Sequence, residues 1–153
     1  MFFADRLAAF TNIAGAMRPG ARLAVLVWQQ PQENEWFSAF GTALSAGRPM
    51  PMPPEGAPSP FAMADPSAVS GMLVDAGFTV PEIDSRIEPM YFGPDPAAAE
   101  IVVLTALGWL LDSHDESTRK QALQALRDDL TAHQTPDGVA YRSSAWLITA
   151  TRR

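Results

Sequence analysis

Apolar residues recur every three or four positions in three segments of the first half of the chain, which is the spacing of amphipathic helices. Each segment begins after an Asp or Asn that can cap a first helical turn, and each ends at a glycine, which favours a helix C-terminus. In the third segment the cap is followed by proline, which suits the first helical position. The predicted helices lie within residues 5–20, 34–47 and 65–77.

One segment, Arg22–Trp28, is apolar at nearly every position and not at helical spacing. A short uninterrupted run of this kind predicts a strand covered on both faces, and such strands are usually interior and parallel. Residues 78–84 and 86–92 are also predicted to be extended. Each contains a proline, which cannot donate to a strand ladder, so we expect both segments at the border of a sheet. The run 145–151 predicts a closing strand.

Residues 95–134 form a predicted helical region. It begins with a second Asp-Pro pair, and residues 101–111 are apolar almost all round, so we expect that helix to be buried on more than one side. Ser113 and Glu116 have the spacing of a capping box, which predicts the start of a further helix. Upstream, residues 49–64 form a proline-rich connection, since six of the twelve residues in 49–60 are proline.

Helices alternate with a few strands, so the sequence predicts a layered α/β fold in a single domain over residues 1–153. The chain has 11 basic and 17 acidic residues and a formal net charge of -6, which disfavours nucleic acid as a partner. It has no cysteine, which excludes disulfides and thiolate catalysis. The longest apolar run is well short of the roughly 20 residues of a membrane helix. The amino terminus lacks the pattern of a signal peptide, so we expect a cytoplasmic protein without membrane contact.

Four segments together resemble the carboxy-terminal half of class I S-adenosylmethionine-dependent methyltransferases, of the type that acts on small molecules in quinone biosynthesis. MFFADRLAAF resembles the segment after the family's fourth strand, and AMRPGARLAVLVWQ resembles the helix, turn and fifth strand that follow. LVDAGF resembles the junction into the sixth strand, and AWLITATRR resembles the antiparallel seventh strand. The resemblance implies strands 5 to 7 of a Rossmann-like methyltransferase sheet, with residues 95–134 as a helical insertion that covers the acceptor site.

The resemblance also bears on the cofactor. In this family S-adenosylmethionine is held mainly by the first half of the fold, through a glycine-rich turn and an acidic residue that binds the ribose. The ten glycines of this chain include no G-x-G pair, so no cofactor-binding residue is predicted and the cofactor is implied by the resemblance alone. We therefore expect the chain by itself to be inactive.

Methyl transfer depends on an in-line approach and a dry pocket more than on acid and base groups, so no catalytic residue is predicted. Aromatic residues are the candidates for the wall of an acceptor pocket. Trp28 ends the predicted strand, where ligands bind in open α/β sheets, and it has ordinary packing as its alternative. The full set of pocket candidates is Phe2, Phe3, Trp28 and Trp109. The alternative for Phe2 and Phe3 is packing at the chain end, and for Trp109 it is ordinary core or a dimer contact.

The acidic and imidazole side chains of residues 112–116 are potential metal ligands, but capping and the helix dipole explain the acidic residues, and no metal site is predicted. His114 and His133 lie at opposite ends of a predicted helix, about 28 Å apart at roughly 1.5 Å per residue, so they cannot share a ligand. Glu33 and Glu35 are candidates for a general base, with a role at a helix start as the alternative.

Two functional hypotheses follow. The first is a methyltransferase-family protein that supplies the substrate-covering half, with a small-molecule acceptor as partner. The second is a non-catalytic interaction or apolar-ligand-binding domain. In either case the apolar edge at Arg22–Trp28 needs cover, so we expect a homo-oligomer that shields this edge or the helix at 101–111.

Overall fold

The computed structural model describes residues 1–51, 53–54 and 57–153. Met52, Glu55 and Gly56, which belong to the predicted proline-rich connection, lie outside the described residues. Two short 3-10 helices, Pro31–Glu33 and Gly108–Leu111, accompany the regular elements. In chain order these are α1 (Arg6–Ala16), β1 (Arg22–Trp28), α2 (Glu35–Ser45), α3 (Pro66–Asp75), β2 (Glu82–Gly93), α4 (Pro96–Leu107), α5 (Glu116–Ala132), β3 (Gln134–Thr135) and β4 (Gly138–Thr151).

The strands form one antiparallel sheet in which β4 lies between β1 and β2, and the short β3 pairs with the start of β4. β1 pairs with the end of β4, from Arg22 opposite Thr151 to Trp28 opposite Ala145. The α/β class and the closing strand are therefore confirmed. That strand begins at Gly138 and not at residue 145, and it is the inner strand of the sheet.

Two expectations for β1 are wrong. In the described part of the chain its one partner is β4, which runs antiparallel to it. Leu23 and Val27 are buried on one face, but Ala24 and Leu26 on the other face are exposed, with Leu26 at 60%. An uninterrupted apolar run does not reveal which of its faces is covered, because valine and leucine occupy both kinds of position.

The region predicted as two extended segments, 78–84 and 86–92, forms one strand, β2. Pro89 lies within it, at the border of the sheet, as expected for a residue without a backbone N–H. Phe78 lies outside the named strands and forms an isolated antiparallel bridge with Arg152.

The described residues divide into two compact units. The first unit comprises the described residues of 1–33, 53–87 and 144–153. In it α1 packs against α3, and both helices cover the buried face of β1 and the end of β4. The larger side chains of this core are Phe10, Leu23, Val27, Val69, Leu73, Phe78 and Ile148.

The second unit comprises the described residues of 34–52 and 88–143. Here α5 packs against α2 and α4 over an aromatic centre. The ring of Phe40 makes edge contacts with Phe92 at 4.9 Å and with Tyr141 at 4.7 Å between centroids. Such edge-to-face pairs are favoured geometries for aromatic rings, so they fix the relative placement of α2, β2 and β4 within this unit.

The predicted buried helix at 101–111 is wrong in two respects. α4 ends at Leu107 and a 3-10 helix continues to Leu111. Only Ala99 and Val103 of α4 are buried, whereas Ile101 is 68% exposed. The apolar residues surround the helix, but α2 and α5 cover one side of it.

The capping box is also wrong. The N-cap of α5 is Asp115, whose carboxylate accepts a hydrogen bond from the Thr118 N–H at 2.9 Å. Ser113 instead receives hydrogen bonds from the Arg48 guanidinium. Serine and aspartate are both good N-cap residues, so the sequence alone does not decide between Ser113 and Asp115. The spacing of Ser113 and Glu116 fits a capping box, but the chain does not form it.

Candidate functional site

A cavity of about 460 Å³ lies between the amino-terminal ends of α1 and α3, within the first unit. We name it the α1–α3 cavity. Residues 4–7 line it on one side, and residues around the start of α3 line it on the other. Its apolar wall includes Met63 and Val69, which are 2% and 4% exposed, and Met72.

The position of this cavity follows from the direction of the helices. The Arg152 guanidinium donates to the Ala14 carbonyl near the end of α1 and to the Gly77 carbonyl just after α3. Arg152 follows the end of β4, which pairs with the beginning of β1. The starts of α1 and α3 therefore lie at the opposite end of the sheet, where β1 finishes. The α1–α3 cavity therefore lies at the carboxyl end of β1 and at the start of the β4 segment that pairs with it.

Both helices that border the α1–α3 cavity begin with a capping aspartate. Asp5 accepts a hydrogen bond from the Ala8 N–H at 2.8 Å, and Asp65 accepts one from the Ser67 N–H at 2.8 Å. Each carboxylate thereby satisfies an N–H group that the first helical turn leaves without a partner. These two side chains are confirmed as caps, and they also bring two carboxylates to one cavity.

The aromatic pocket candidates are not assembled around this cavity. Phe2 and Phe3 are 66% and 51% exposed, and they precede the lining residues without belonging to them. Trp28 is half-buried at the end of β1, opposite Ala145, and lies outside the lining. Sequence reasoning missed Met63 and Met72 because nothing in a proline-rich connection or a helix stripe indicates a cavity.

The sequence supplies no glycine-rich turn of the kind that holds S-adenosylmethionine in the resembled family, and the turn after β1 does not replace it. It has no glycine to admit a cofactor close to the backbone, and the Gln29 side chain that follows β1 is buried. That amide donates to Ser85 Oγ at 2.7 Å and to the Ala145 carbonyl at 3.0 Å. The left-handed Gly20 and Gly77 lie at helix-to-strand turns, at the other end of the sheet. No step of methyl transfer can therefore be derived from the described residues.

A second cavity, of about 250 Å³, belongs to the second unit and has Trp109 in its wall. The indole is 52% exposed. Arg48 and Ser113 both line this cavity, and the Arg48 guanidinium donates to the Ser113 carbonyl at 3.0 Å. His114 Nε2 lies 2.8 Å from the Leu44 carbonyl, so Nε2 carries the donated proton, and the buried Nδ1 has no partner among the described residues. Trp109 therefore lines a cavity of the second unit, whereas Trp28 belongs to the first unit.

The Glu35 carboxylate is committed to hydrogen bonds. One oxygen accepts from the Arg142 N–H at 2.8 Å, and the other lies 3.4 Å from His133 Nε2. His133 Nδ1 donates to the Asp129 carbonyl at 2.8 Å, and its ring stacks on Tyr141 at 4.0 Å. These contacts favour the structural interpretation of Glu35 over that of a general base.

Two titrating groups of this cluster are shifted. Burial lowers the pKa of His133, but hydrogen bonds to Asp129 and Glu35 and the charges of both carboxylates outweigh it, so the pKa is raised. Burial is also the first cause of the raised pKa of Tyr141, and its hydroxyl donates to Asp129 Oδ2 at 2.6 Å. Tyr141 therefore keeps its proton and remains a hydrogen-bond donor, whereas the raised pKa of His133 extends the charged imidazole to higher pH.

Across residues 1–51, 53–54 and 57–153, no group of three or more His, Cys, Asp or Glu side chains is placed to hold a metal ion. Among the helices of the described residues, none combines the length and apolar character needed to cross a bilayer.

No protein-family model matches the chain, and no curated protein matches it either.

Proposed function

We propose that this chain is the sheet-closing and acceptor-binding half of an S-adenosylmethionine-dependent small-molecule methyltransferase. The cofactor-binding half comes from a segment or chain outside these 153 residues. The observation that carries the proposal is the position of β4. The resemblance implies an antiparallel final strand, and β4 pairs antiparallel with β1 inside the sheet.

The edge of β1 supports the second part of the proposal. On the side away from β4, β1 has no partner strand in the described part of the chain. Leu26, on the face of β1 opposite Leu23 and Val27, is 60% exposed. Soluble proteins rarely leave an apolar strand edge open, because it recruits other strands. A further strand from a cofactor-binding half would satisfy its backbone groups.

The α1–α3 cavity supports the role in binding an acceptor. It lies at the carboxyl end of β1, and its volume of about 460 Å³ is in the range of small-molecule sites. Met63 and Val69 exclude water from its wall, and Asp5 and Asp65 offer polar contacts that orient a ligand. When bound, the cofactor would supply the methyl group, and the residues of this chain position the group that receives it.

The experiment is a calorimetric titration with S-adenosylhomocysteine, the demethylated product, which binds without turnover. The chain alone is expected to give no saturable heat. A fusion that places the first four strands of a class I methyltransferase, with its glycine-rich turn, before Met1 is expected to bind. That amino-terminal part alone, and a fusion with the glycine turn replaced, are the controls. Micromolar binding by the chain alone, or a folded fusion that binds no better than its amino-terminal part, would contradict the proposal.

The second candidate function is a non-catalytic domain that self-associates. The observation in its favour is the exposure of large apolar side chains at Leu26, Ile101 and Trp109. This function differs from that of a methyltransferase half because it requires no S-adenosylmethionine, whether the chain is alone or joined to another protein. The same fusion experiment separates the two, since a non-catalytic domain does not complete a cofactor site.

A further inference from the structure

The cavity of about 250 Å³ in the second unit is lined by the segment that follows α2 and by the segment that precedes α5, and we name it the Trp109 cavity. Pro49 and Pro51 belong to the first segment, and Trp109 and His114 belong to the second. The volume is smaller than that of a site for a drug-sized ligand, so an occupant is limited to about the size of a single ring.

The His114 imidazole brings to this lining a hydrogen-bond acceptor that lacks a donor. Its Nε2 donates to the Leu44 carbonyl oxygen at 2.8 Å, so Nδ1 is the acceptor of the neutral ring. Nδ1 is buried and has no hydrogen-bond partner among the described residues. Because a buried acceptor without a donor is unfavourable, a ligand that supplies an N–H or O–H to Nδ1 gains affinity from it.

Arg48 supplies the opposite kind of group to the same cavity. One guanidinium nitrogen, Nη1, donates to the carbonyl and hydroxyl oxygens of Ser113, at 3.0 and 3.2 Å. Within the described part of the chain, Nε and Nη2 of Arg48 have no hydrogen-bond partner. A ligand that carries both a donor and an acceptor therefore matches His114 and Arg48 together.

The charges and the aromatic surface of the Trp109 cavity narrow the class of ligand further. Asp112 lines the cavity together with Arg48, so a carboxylate opposes the guanidinium, and the lining favours a neutral ligand over an ion of either sign. The Trp109 indole is 52% exposed, so it has surface available for contact with a second aromatic ring. Leu110, which is buried, adds an apolar contact.

We infer that the Trp109 cavity binds a small neutral aromatic amide. Its N–H group donates to His114 Nδ1, its carbonyl oxygen accepts from Arg48, and its ring packs against Trp109. An amide is neutral and carries a donor and an acceptor on the same carbon, which are the two groups that these side chains lack. The site belongs to the second unit and requires no cofactor, so the inference does not depend on the proposed function.

Calorimetric titrations with three probes of one shape test the inference. Benzamide carries both a donor and an acceptor, acetophenone has a methyl group in place of the amide nitrogen, and benzoate has a second acceptor and a negative charge. Benzamide is expected to bind roughly tenfold more tightly than acetophenone, because it alone gives a donor to Nδ1. Benzoate is expected to bind more weakly than benzamide, because its oxygens meet the lone pair of Nδ1 and the charge of Asp112.

Three results of these titrations would overturn the inference. Equal affinities for benzamide and acetophenone would show that Nδ1 takes no part in binding. Tightest binding by benzoate would make the cavity an anion site of Arg48, and no binding by any probe would leave the cavity without an aromatic ligand.

A pair of variants isolates the role of Nδ1. His114→Gln removes this atom and keeps a side-chain N–H for the Leu44 carbonyl. The variant is expected to bind benzamide about tenfold more weakly and to bind acetophenone as the wild type does. His133→Gln is the matched control, because His133 belongs to the same unit and lies outside the lining, and it should leave both affinities unchanged. An equal loss for the two probes in His114→Gln would mean that His114 only shapes the cavity, and the inference would fail.

Nitrogen NMR on the wild type gives a test that does not depend on the stability of a variant. The chain has two histidines, so spectra of isotope-labelled histidine side chains separate His114 from His133. Benzamide is expected to shift the His114 Nδ1 resonance, acetophenone to leave it in place, and neither probe to move the resonances of His133. An Nδ1 resonance that stays in place at saturating benzamide would refute the proposed hydrogen bond.

Discussion

His133 joins three elements of the second unit. It follows α5, contacts Glu35 at the start of α2, and stacks on Tyr141 of β4. The groups that face its ring are the carboxylates of Glu35 and Asp129 and the hydroxyl-bearing ring of Tyr141. The negative charges of the two carboxylates, together with the partial negative charge of the α5 C-terminus, favour the protonated imidazole. The charge of one side chain thus affects how strongly α2, α5 and β4 hold together.

We expect the stability of the chain to fall as pH rises through neutrality. The pKa of His133 is raised in the folded state, so its contribution is complete below the unfolded pKa of 6.5 and is lost as pH rises through the folded value. The size is no more than about 1 kcal/mol, since the Glu35 carboxylate is half-exposed. Urea unfolding of the wild type and of His133→Gln at about pH 5.5 and about pH 9 measures the difference.

Glu35→Gln is the control for this effect. It keeps an acceptor for the Arg142 N–H and removes the charge that faces His133, so it should lose part of the pH dependence. The interpretation is wrong if the wild type and His133→Gln show the same change in unfolding free energy between the two pH values.

Some of these roles were accessible from the sequence and others were not. The caps Asp5, Asp65 and Asp95 were predicted, because capping depends on a side chain and the N–H groups two or three residues further on. The Glu35 and His133 contact joins residues 98 positions apart. No local pattern encodes such a contact, since it is created by the packing of α2 against α5.

The turn into β4 depends on close backbone approach. Gly138 has a φ of 112°, and a Cβ atom there would lie 2.6 Å from the Gly93 carbonyl oxygen. Gly93 is similarly confined, with the Ala99 backbone nitrogen 2.8 Å from the position of its Cβ. Both the dihedral angle and the contact require glycine at the start of β4.

Gly138→Ala is expected to destabilise the chain by more than about 2 kcal/mol, because it combines a strained φ with a clash against backbone. Thermal or urea unfolding gives the measurement. Gly71→Ala is the matched control, since Gly71 lies in α3 with nothing within 4 Å of its Cβ position. That variant should be stabilised by about 0.5–1 kcal/mol. Equal effects of the two substitutions would contradict this account.

The first three helices were predicted correctly because the spacing of their apolar residues identifies the face that packs against the core. α1, α2 and α3 lie within the predicted segments. The failures concern elements whose apolar pattern is continuous. β1 and α4 have apolar residues on faces that the described structure leaves exposed, at Leu26 and Ile101. An apolar pattern shows which residues of an element could be buried. Which of them are buried depends on the helices and strands that pack against that face.

In the described part of the chain, the apolar strand β1 has one edge without a partner strand. Leu26 and Ala24 lie on the open face of β1, which has β4 as its one partner in the described part of the chain. An edge of this kind recruits strands from other molecules. The isolated chain is therefore expected to self-associate as its concentration rises.

Leu26→Lys tests the role of that edge. A charged side chain on an edge strand opposes pairing, so the variant should stay monomeric at concentrations where the wild type associates in sedimentation velocity. Val80→Lys adds the same charge at an exposed apolar position outside the strands, and it should behave like the wild type. A wild type that is monomeric at every concentration would contradict the expectation.

The candidate site was beyond reach of the sequence for a related reason. The α1–α3 cavity draws its lining from residues 4–7 and from residues 62–72. These segments meet because α1 and α3 pack side by side on the sheet with their starts at the same end. The caps were identified individually, but their shared cavity emerges only when α1 and α3 pack together over β1 and the end of β4.

The location of β4 in the chain sets a condition on biosynthesis. Val139 and Tyr141 of this strand belong to the core of one unit, and Ile148 and Ala150 belong to the core of the other. A ribosome that has translated the chain only as far as β3 has therefore produced neither core in finished form. The nascent polypeptide carries unshielded apolar surface until residues 138–151 emerge, and a premature stop codon before Gly138 would deprive both units of their inner strand.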